Sequence, residues 1–420
     1  MNSSTKQTTA PPPKVREDTT VEGDNPSGAS SPPRRIVHVL TRLLRAGAEE
    51  NTLATCDYQI ACGHEVYIVH GKDYDAEYVK TLNPLLQRIQ VPEMVHPIAP
   101  WHDWKGLQAL KKLYAKIQPD VVHTHQSKAG ILGRLAALKA NCTIIHTVHI
   151  AHWLSVGRLK QRLFVAIESY CSKRTHELIS VSDGVRDACL AQGIGQADQH
   201  HVIHSGMNVN KFKQVDTAPK WQDYIENWHS NEKPFVILMM AAFEPRKRQE
   251  AFLRSMAPVL LRQPAMCVVF CGEGARLQSC QDLARELQIE QQVRFAGYIV
   301  SPEHYVALAD VCVLSSEREG LPRVVIQYVA GRRPVVVNHL TGIEIIIQDG
   351  ENGTIVTGDD IDANAAEIER LYLNPHIRES MSRAATSIDV SSWDVGRMGE
   401  QIQAVYDRAM SRVITDRQSG

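Results

Sequence analysis

The sequence predicts an α/β protein of two successive doubly wound parallel sheets facing a cleft, preceded by a disordered tail. Three observations carry that prediction. Short β-branched apolar runs alternate with amphipathic helical segments from Arg35 onward, the texture of strands covered on both faces of a parallel sheet. The alternation pauses over residues 211–233 and then restarts, which divides the chain into two such units. The chemically unusual residues fall just past the strands, where open parallel sheets bind their ligands.

Taken in order, residues 1–33 are rich in Ser, Thr, Pro, Gly and charge and offer little to bury, so they read as disordered. Residues 36–40 open the first sheet, a loop follows at 41–47, and a helix then runs through Ile60 with Gly63 as its stop. Further strands are predicted at 65–70, 120–125, 143–149 and 178–182, each feeding a helical segment. The pause at 211–233 is polar, with Pro219 and two tryptophans. The second unit then places strands at 235–242, 267–272, 293–298, 311–315 and 334–338.

Composition removes several function classes. The 420 residues hold 46 Lys+Arg and 47 Asp+Glu, a net charge of −1, which argues against a dedicated nucleic-acid binder. The longest apolar run, residues 235–243, is shorter than the ~20 residues a membrane helix needs. The polar N-terminal stretch carries no secretory signal. Nine scattered cysteines, an odd number with no CxxC pair, read as buried thiols of a cytoplasmic protein.

Two segments carry the chemistry. In residues 316–327 a strand ends, a loop bears Glu319 and Gly320, and Pro322 stands where a helix starts. Such a helix start offers free N–H groups to a phosphate. Arg323, a cation in that first turn, opposes the helix dipole unless an anion binds there. The second segment, Phe243-Glu-Pro-Arg-Lys-Arg-Gln249, puts Arg246, Lys247 and Arg248 at a strand's carboxyl end, where they suit a departing diphosphate or simply a solvated face.

Together these residues resemble the retaining family 4 glycosyltransferases with the GT-B fold, two Rossmann-like domains facing a cleft. Glu319-Gly-Leu-Pro followed by Gln327 looks like that family's E-x7-E segment, and Ala46-Gly-Ala-Glu49 resembles its Gly-Gly-x-Glu loop. Pro245-Arg-Lys247, Gly272-Glu-Gly274 and Asp349-Gly-Glu-Asn-Gly353 are similar to its later turns, and Asp120-Val-Val-His-Thr-His125 to a strand of its acceptor domain.

The resemblance implies domains at 34–212 (acceptor side) and 213–390 (nucleotide sugar), with a C-terminal helix over 391–420 returning toward the first. It implies Glu319, Lys247 and His149 as the catalytic set. Glu319 would touch donor-sugar hydroxyls, Lys247 would neutralise the diphosphate, and His149 would reach the sugar from the first domain. Donor binding falls to Gly47, Arg246, Arg248, Gly297, Gly320, Leu321, Arg323 and Gln327. The implied substrates are a nucleoside-diphosphate sugar and a saccharide or glycolipid acceptor, with no cofactor, no metal and no nucleic acid.

Two departures stand out: Gln327 replaces the family's second glutamate, and Ala242 stands where an arginine is usual. They keep open a non-catalytic scaffold of polysaccharide assembly; a nucleotide-sugar epimerase shares the architecture, but the Glu319-to-Gln327 segment and the Asp349–Gly353 turn match the transferases better. The strand-end histidines His123, His125, His146 and His149 invite a metal reading, but no acidic or cysteine companion stands at ligand spacing. Residues 101–115 and 158–174 mix aromatic, aliphatic and basic side chains. They read either as ordinary domain helices or as peripheral contacts with the inner membrane face.

Overall fold

The structure, a computed structural model, describes residues 32–150, 153, 157–215, 219–319, 322–358 and 360–418, with side chains through 412. The expected tail lies outside the described residues except at its last two positions.

Two all-parallel sheets form the frame. The first contains β1 (Arg35–Leu40), β2 (Glu65–His70), β3 (Gln87–Gln90), β4 (Val121–His125), β5 (Thr143–Val148), β6 (Glu177–Ser180) and β7 (His200–Val202) in the order β3-β2-β1-β4-β5-β6-β7. The second contains β8 (Phe235–Met240), β9 (Met266–Cys271), β10 (Val293–Phe295), β11 (Val311–Leu314), β12 (Val335–Asn338) and β13 (Gly353–Val356) in the order β10-β9-β8-β11-β12-β13. The strand order reverses between β1 and β4 in one sheet and between β8 and β11 in the other. At such switch points the loops part and leave a crevice.

Burial explains why these runs became strands. β8 (FVILMM) and β9 (MCVVFC) are buried at every position and pair in step from Phe235↔Met266 to Met240↔Cys271. Their side chains alternate between two cores. Val236, Leu238, Cys267 and Val269 face one layer; Ile237, Met239, Val268 and Phe270 face the other.

Three strands escape the sequence pattern: β3, β7 and β13. Each lies at a sheet edge, where one side meets solvent or loops and the apolar run is short. Residues 211–233 are also more than a connector. Phe212 and Ile225 are buried in the second sheet's core, and Trp221, Tyr224 and Trp228 pack against it. A few aromatics anchor a stretch that is polar by count.

The helix Val395–Gln418 packs on the first sheet, not the second. Met398, Ile402, Val405, Tyr406 and Ala409 share a core with Ile36, Val121, Ile145 and Ile179. Arg408 and Arg412 reach the buried Glu177 carboxylate of β6 at 3.3 and 3.0 Å.

Candidate active site

The switch point of the second sheet assembles the charge. Past β8 the chain enters a 3-10 turn, Pro245–Lys247, and Arg248 in the left-handed region (φ +60°) swings it into the helix Gln249–Arg262. Past β11, residues 315–319 run alongside. The Ser315 hydroxyl donates to the Lys247 carbonyl at 2.9 Å, and the Glu317 amide donates to the Arg246 carbonyl at 2.8 Å. The two loops are therefore stitched together before any side-chain charge is considered.

On that frame the Glu319 carboxylate takes the Lys247 ammonium on one oxygen and the Arg246 guanidinium, at 3.0 Å, on the other. The Lys247 and Glu319 side chains are only 11% and 10% exposed. Burial pushes the Glu319 carboxyl up, but Lys247 and Arg246 outweigh it and hold it below its usual range. The result is one shielded and one half-exposed cation steadied by a single carboxylate, an arrangement that can receive charge developing on a leaving diphosphate.

Glycine makes this packing possible. The turn after β9 carries Gly272 (φ +142°) and Gly274 (φ +150°); a Cβ on either would lie 2.2 Å from the Ala241 carbonyl oxygen or 2.5 Å from that of Phe243. The turn can thus rest against the loop that carries the cations. The Gly272 amide in turn donates to the Gly297 carbonyl at 2.7 Å, which sets residues 297–300 at the rim.

The first sheet brings its own switch point to the same place. Gly47 opens the helix Gly47–Ala61, and a Cβ there would meet open space. Gln126, just past β4 with φ +60°, accepts from the Thr41 amide at 2.9 Å and donates to the buried Glu49 carboxylate at 3.0 Å. It ties the β1 loop to the helix start. His149 follows β5 and is half-buried.

Two expectations change. Arg323 does begin the helix Arg323–Ala330, but its guanidinium crosses to the first half instead of facing the crevice. There it donates to the carbonyls of Gly47 at 3.1 Å and Gly206 at 3.3 Å, with Glu50 at 3.7 Å. Two backbone carbonyls and a carboxylate of the first half thus take the cation that the sequence assigns to a phosphate. Arg45, which sequence reasoning passed over, spans the same gap with its guanidinium 4.5 Å above the Tyr298 ring. Its signal was a cation in the loop after β1.

The histidine grouping also differs. The rings that converge are His38, His123 and His125, not the four strand-end residues, because His146 turns to Thr124. The trio's ring nitrogens bond to one another, to His149, or to Gln59, Tyr406 and Thr147. Gln327 lies half-buried on the Arg323–Ala330 helix. Gly320 and Leu321 lie outside the described residues.

Comparison with known proteins agrees with this geometry. Residues 45–211 match the family model "Glycosyltransferase Family 4" and residues 222–388 match "Glycosyl transferases group 1". The putative glycosyltransferase EpsD of Bacillus subtilis is 30% identical over 370 residues, 85% of this chain and 96% of that protein. An Escherichia coli UDP-Gal:alpha-D-GlcNAc-diphosphoundecaprenol alpha-1,3-galactosyltransferase is 24% identical over 89% of this chain and 96% of its own length. Among solved structures, a Rickettsia africae glycosyltransferase (TM-score 0.75, 17% identity) covers 90% of this chain and 99% of its own. Anabaena HepE with UDP and glucose (TM-score 0.74, 16% identity) covers 89% and 99%. Two parallel sheets with opposed switch points, a paired cation site and these matches together place the chain among the family 4, group 1 glycosyltransferases of GT-B fold.

Proposed function

We propose that this glycosyltransferase moves a hexose-type sugar from a uridine diphosphate donor to a lipid-linked saccharide, with retention of anomeric configuration and without a metal ion. The observation that carries this reading is the pairing of Lys247 and Arg246 with Glu319 at the β8/β11 switch point. In the reaction the bond from the anomeric carbon to the diphosphate breaks and its electron pair leaves on a phosphate oxygen. Lys247 and Arg246 neutralise that charge. The acceptor hydroxyl oxygen bonds to the anomeric carbon, and its proton passes to the departing diphosphate. Glu319 steadies the cations until the donor arrives and then meets sugar hydroxyls.

The choice of uridine is supported by the E. coli relative, named for UDP-Gal, and by the HepE complexes with UDP. The lipid-linked acceptor is supported by that same relative's name and by the surface of the first half. Trp101 and Leu159 are 62% and 83% exposed, beside Lys105, Arg158, Lys160 and Arg162. Exposed apolar side chains flanked by cations suit anionic lipid.

A thermal-shift screen of UDP, GDP, ADP and their sugars tests the donor, since a ligand of the folded state raises stability by mass action. UDP should give the largest shift, and no shift with any nucleotide overturns the reading. Turnover unchanged by a chelator, and a product whose anomeric coupling matches the donor's, test the other two claims.

A further inference from the structure

One helix of the first half does not bury the stripe its sequence offers. A helix that covers a sheet buries one face along its length, as Gln249–Arg262 does from Gln249 to Leu260. The helix Arg158–Ser172 buries only Glu168, Cys171 and Ser172, all near its carboxyl end. Residues 158–167 are exposed or half-buried, although they include Leu159, Leu163, Phe164 and Val165. Leu159 and Leu163 are 83% and 60% exposed.

The charge on this helix is as one-sided as its burial. Arg158, Lys160 and Arg162 crowd its start, and Lys173 and Arg174 follow its end. Its one carboxylate, Glu168, is buried and taken by Arg134 at 2.6 Å. None of the five cations has an acidic partner among the described residues. Phe164 and Val165 pack against a cluster that includes Val185 and Cys189 of the helix Asp183–Ala191, but Asp183 and Asp187 there are both held by Arg186. A chain of net charge −1 thus gathers five uncompensated cations on one helix.

At about 100° per residue the helix sorts these side chains into rows. Leu159 and Leu163 form one row, with Arg158 and Arg162 beside it and Lys160 on its other flank. Next to the arginines opens a cavity of about 490 Å³, lined by Arg158, Gln161, Arg162, Val165, Ala166 and Gln192. The lining holds no carboxylate. Two guanidinium forks offer paired N–H donors to phosphate oxygens, and two amides offer further donors to ester or hydroxyl oxygens. Val165 and Ala166 supply an apolar wall.

We propose that this cavity is a phosphate site for the headgroup of one anionic phospholipid, with the helix lying on the bilayer and Leu159 and Leu163 at the acyl boundary. The site deepens the proposed lipid-linked acceptor and rests on that reading for its purpose. A bilayer answers both parts of the surface, with phosphates for the arginines and acyl chains for the leucines. A second copy of this chain would set five cations against five.

Co-sedimentation of the full chain with vesicles tests the site. Phosphatidylcholine vesicles should hold little protein, and vesicles with about one-third phosphatidylglycerol should hold most of it. Equal retention by both, or none by either, overturns the proposal. Arg158→Lys with Arg162→Lys keeps the charge and loses the forked donors, so affinity should fall on the order of tenfold. Gln161→Ala changes no charge and should weaken binding severalfold. Native affinity in either variant overturns the cavity, because a merely electrostatic face would register neither change. Neither change reaches the core, so both variants should keep the native melt. Polyglutamate at matched charge should displace little protein from the vesicles; release by it overturns the lipid in favour of an acidic protein partner. The two readings fail separately. Anionic vesicles bound through this cavity, without transfer to a lipid-linked saccharide, refute the acceptor and leave the site. Transfer to that acceptor, with vesicle binding unmoved by both substitutions, refutes the site and leaves the acceptor.

Discussion

Replacing Lys247 by Met removes one of the two cations that hold Glu319 while keeping a side chain of similar length. In the native protein burial pushes the Glu319 carboxyl up, and the cations bring it below its unfolded value. A depressed carboxyl contributes stability that is present above the unfolded pKa of about 4.3 and is lost as pH falls through the folded one. Without Lys247 only Arg246 remains, and Arg246 is shared with Glu244 at 2.8 Å. Burial then dominates, the carboxyl rises, and its ionised form becomes a cost at neutral pH. Breaking a wholly buried pair costs about 3–5 kcal/mol. With a second cation in place we expect roughly 2 kcal/mol, the scale of one charged hydrogen bond.

For a cooperative unit the size of the second half, that lowers Tm by about 4–8 °C. The deficit should shrink between about pH 7.5 and about pH 5, as the raised carboxyl takes up its proton. Turnover should fall by roughly 10²-fold, about 2.7 kcal/mol of barrier. Thermal melts at both pH values and initial rates with the stabilising donor measure these separately. Near-native turnover refutes Lys247 as the diphosphate cation, and an equal Tm deficit at both pH values refutes the account of Glu319.

Other substitutions probe neighbouring parts of the site. Arg323→Ala takes the donors from the Gly47 and Gly206 carbonyls. It should loosen the halves by about 1–2 kcal/mol, seen as a larger radius of gyration in solution scattering and a donor KM raised several-fold. Gly274→Ala forces a Cβ to 2.5 Å from the Phe243 carbonyl oxygen at φ +150°, so Tm should drop by the equivalent of roughly 1–3 kcal/mol, with activity lost as the Lys247 turn shifts. Gln327→Glu restores a carboxylate on the Arg323–Ala330 helix and should tighten UDP binding about fivefold by calorimetry, the scale of one hydrogen bond strengthened. Trp101→Ser with Leu159→Ser should reduce co-sedimentation with anionic vesicles while leaving Tm within about 1 °C, because both side chains are mostly exposed.

The fold was legible wherever a strand is covered on both faces. β8, β9 and β11 announce themselves as unbroken apolar runs because nothing polar can be tolerated there. The edge strands β3 and β7 lack that constraint, and QRIQ or HHV carries no pattern to read. The cation turn and Glu319 were visible because each sits within a few residues of a strand end, a local feature of the chain. The contacts of Arg323 were not. Its partners Gly47 and Gly206 are 276 and 117 positions away, and a backbone carbonyl leaves no mark in composition.

The histidine chain is the sharper case. Each histidine alone reads as a core residue or a metal ligand, and neither reading includes Gln59 or Tyr406, which lie 347 positions apart and meet at 3.1 Å. Buried polar groups must find partners, so the sequence did state a debt: His38, His123 and His125 stand in strands where apolar residues are the rule. What it could not state is the direction of the bonds. That direction comes from a single neutral amide, which can donate on one side and accept on the other but cannot do both at the same atom. A carboxylate at position 59 would keep the bond from His38 but reverse the one to Tyr406, since it only accepts. Near-zero net charge over the whole chain thus conceals two opposite local solutions. The second sheet concentrates cations where a diphosphate would leave, and the first sheet keeps its buried histidines uncharged by burial and by bonds to one another and to neutral partners.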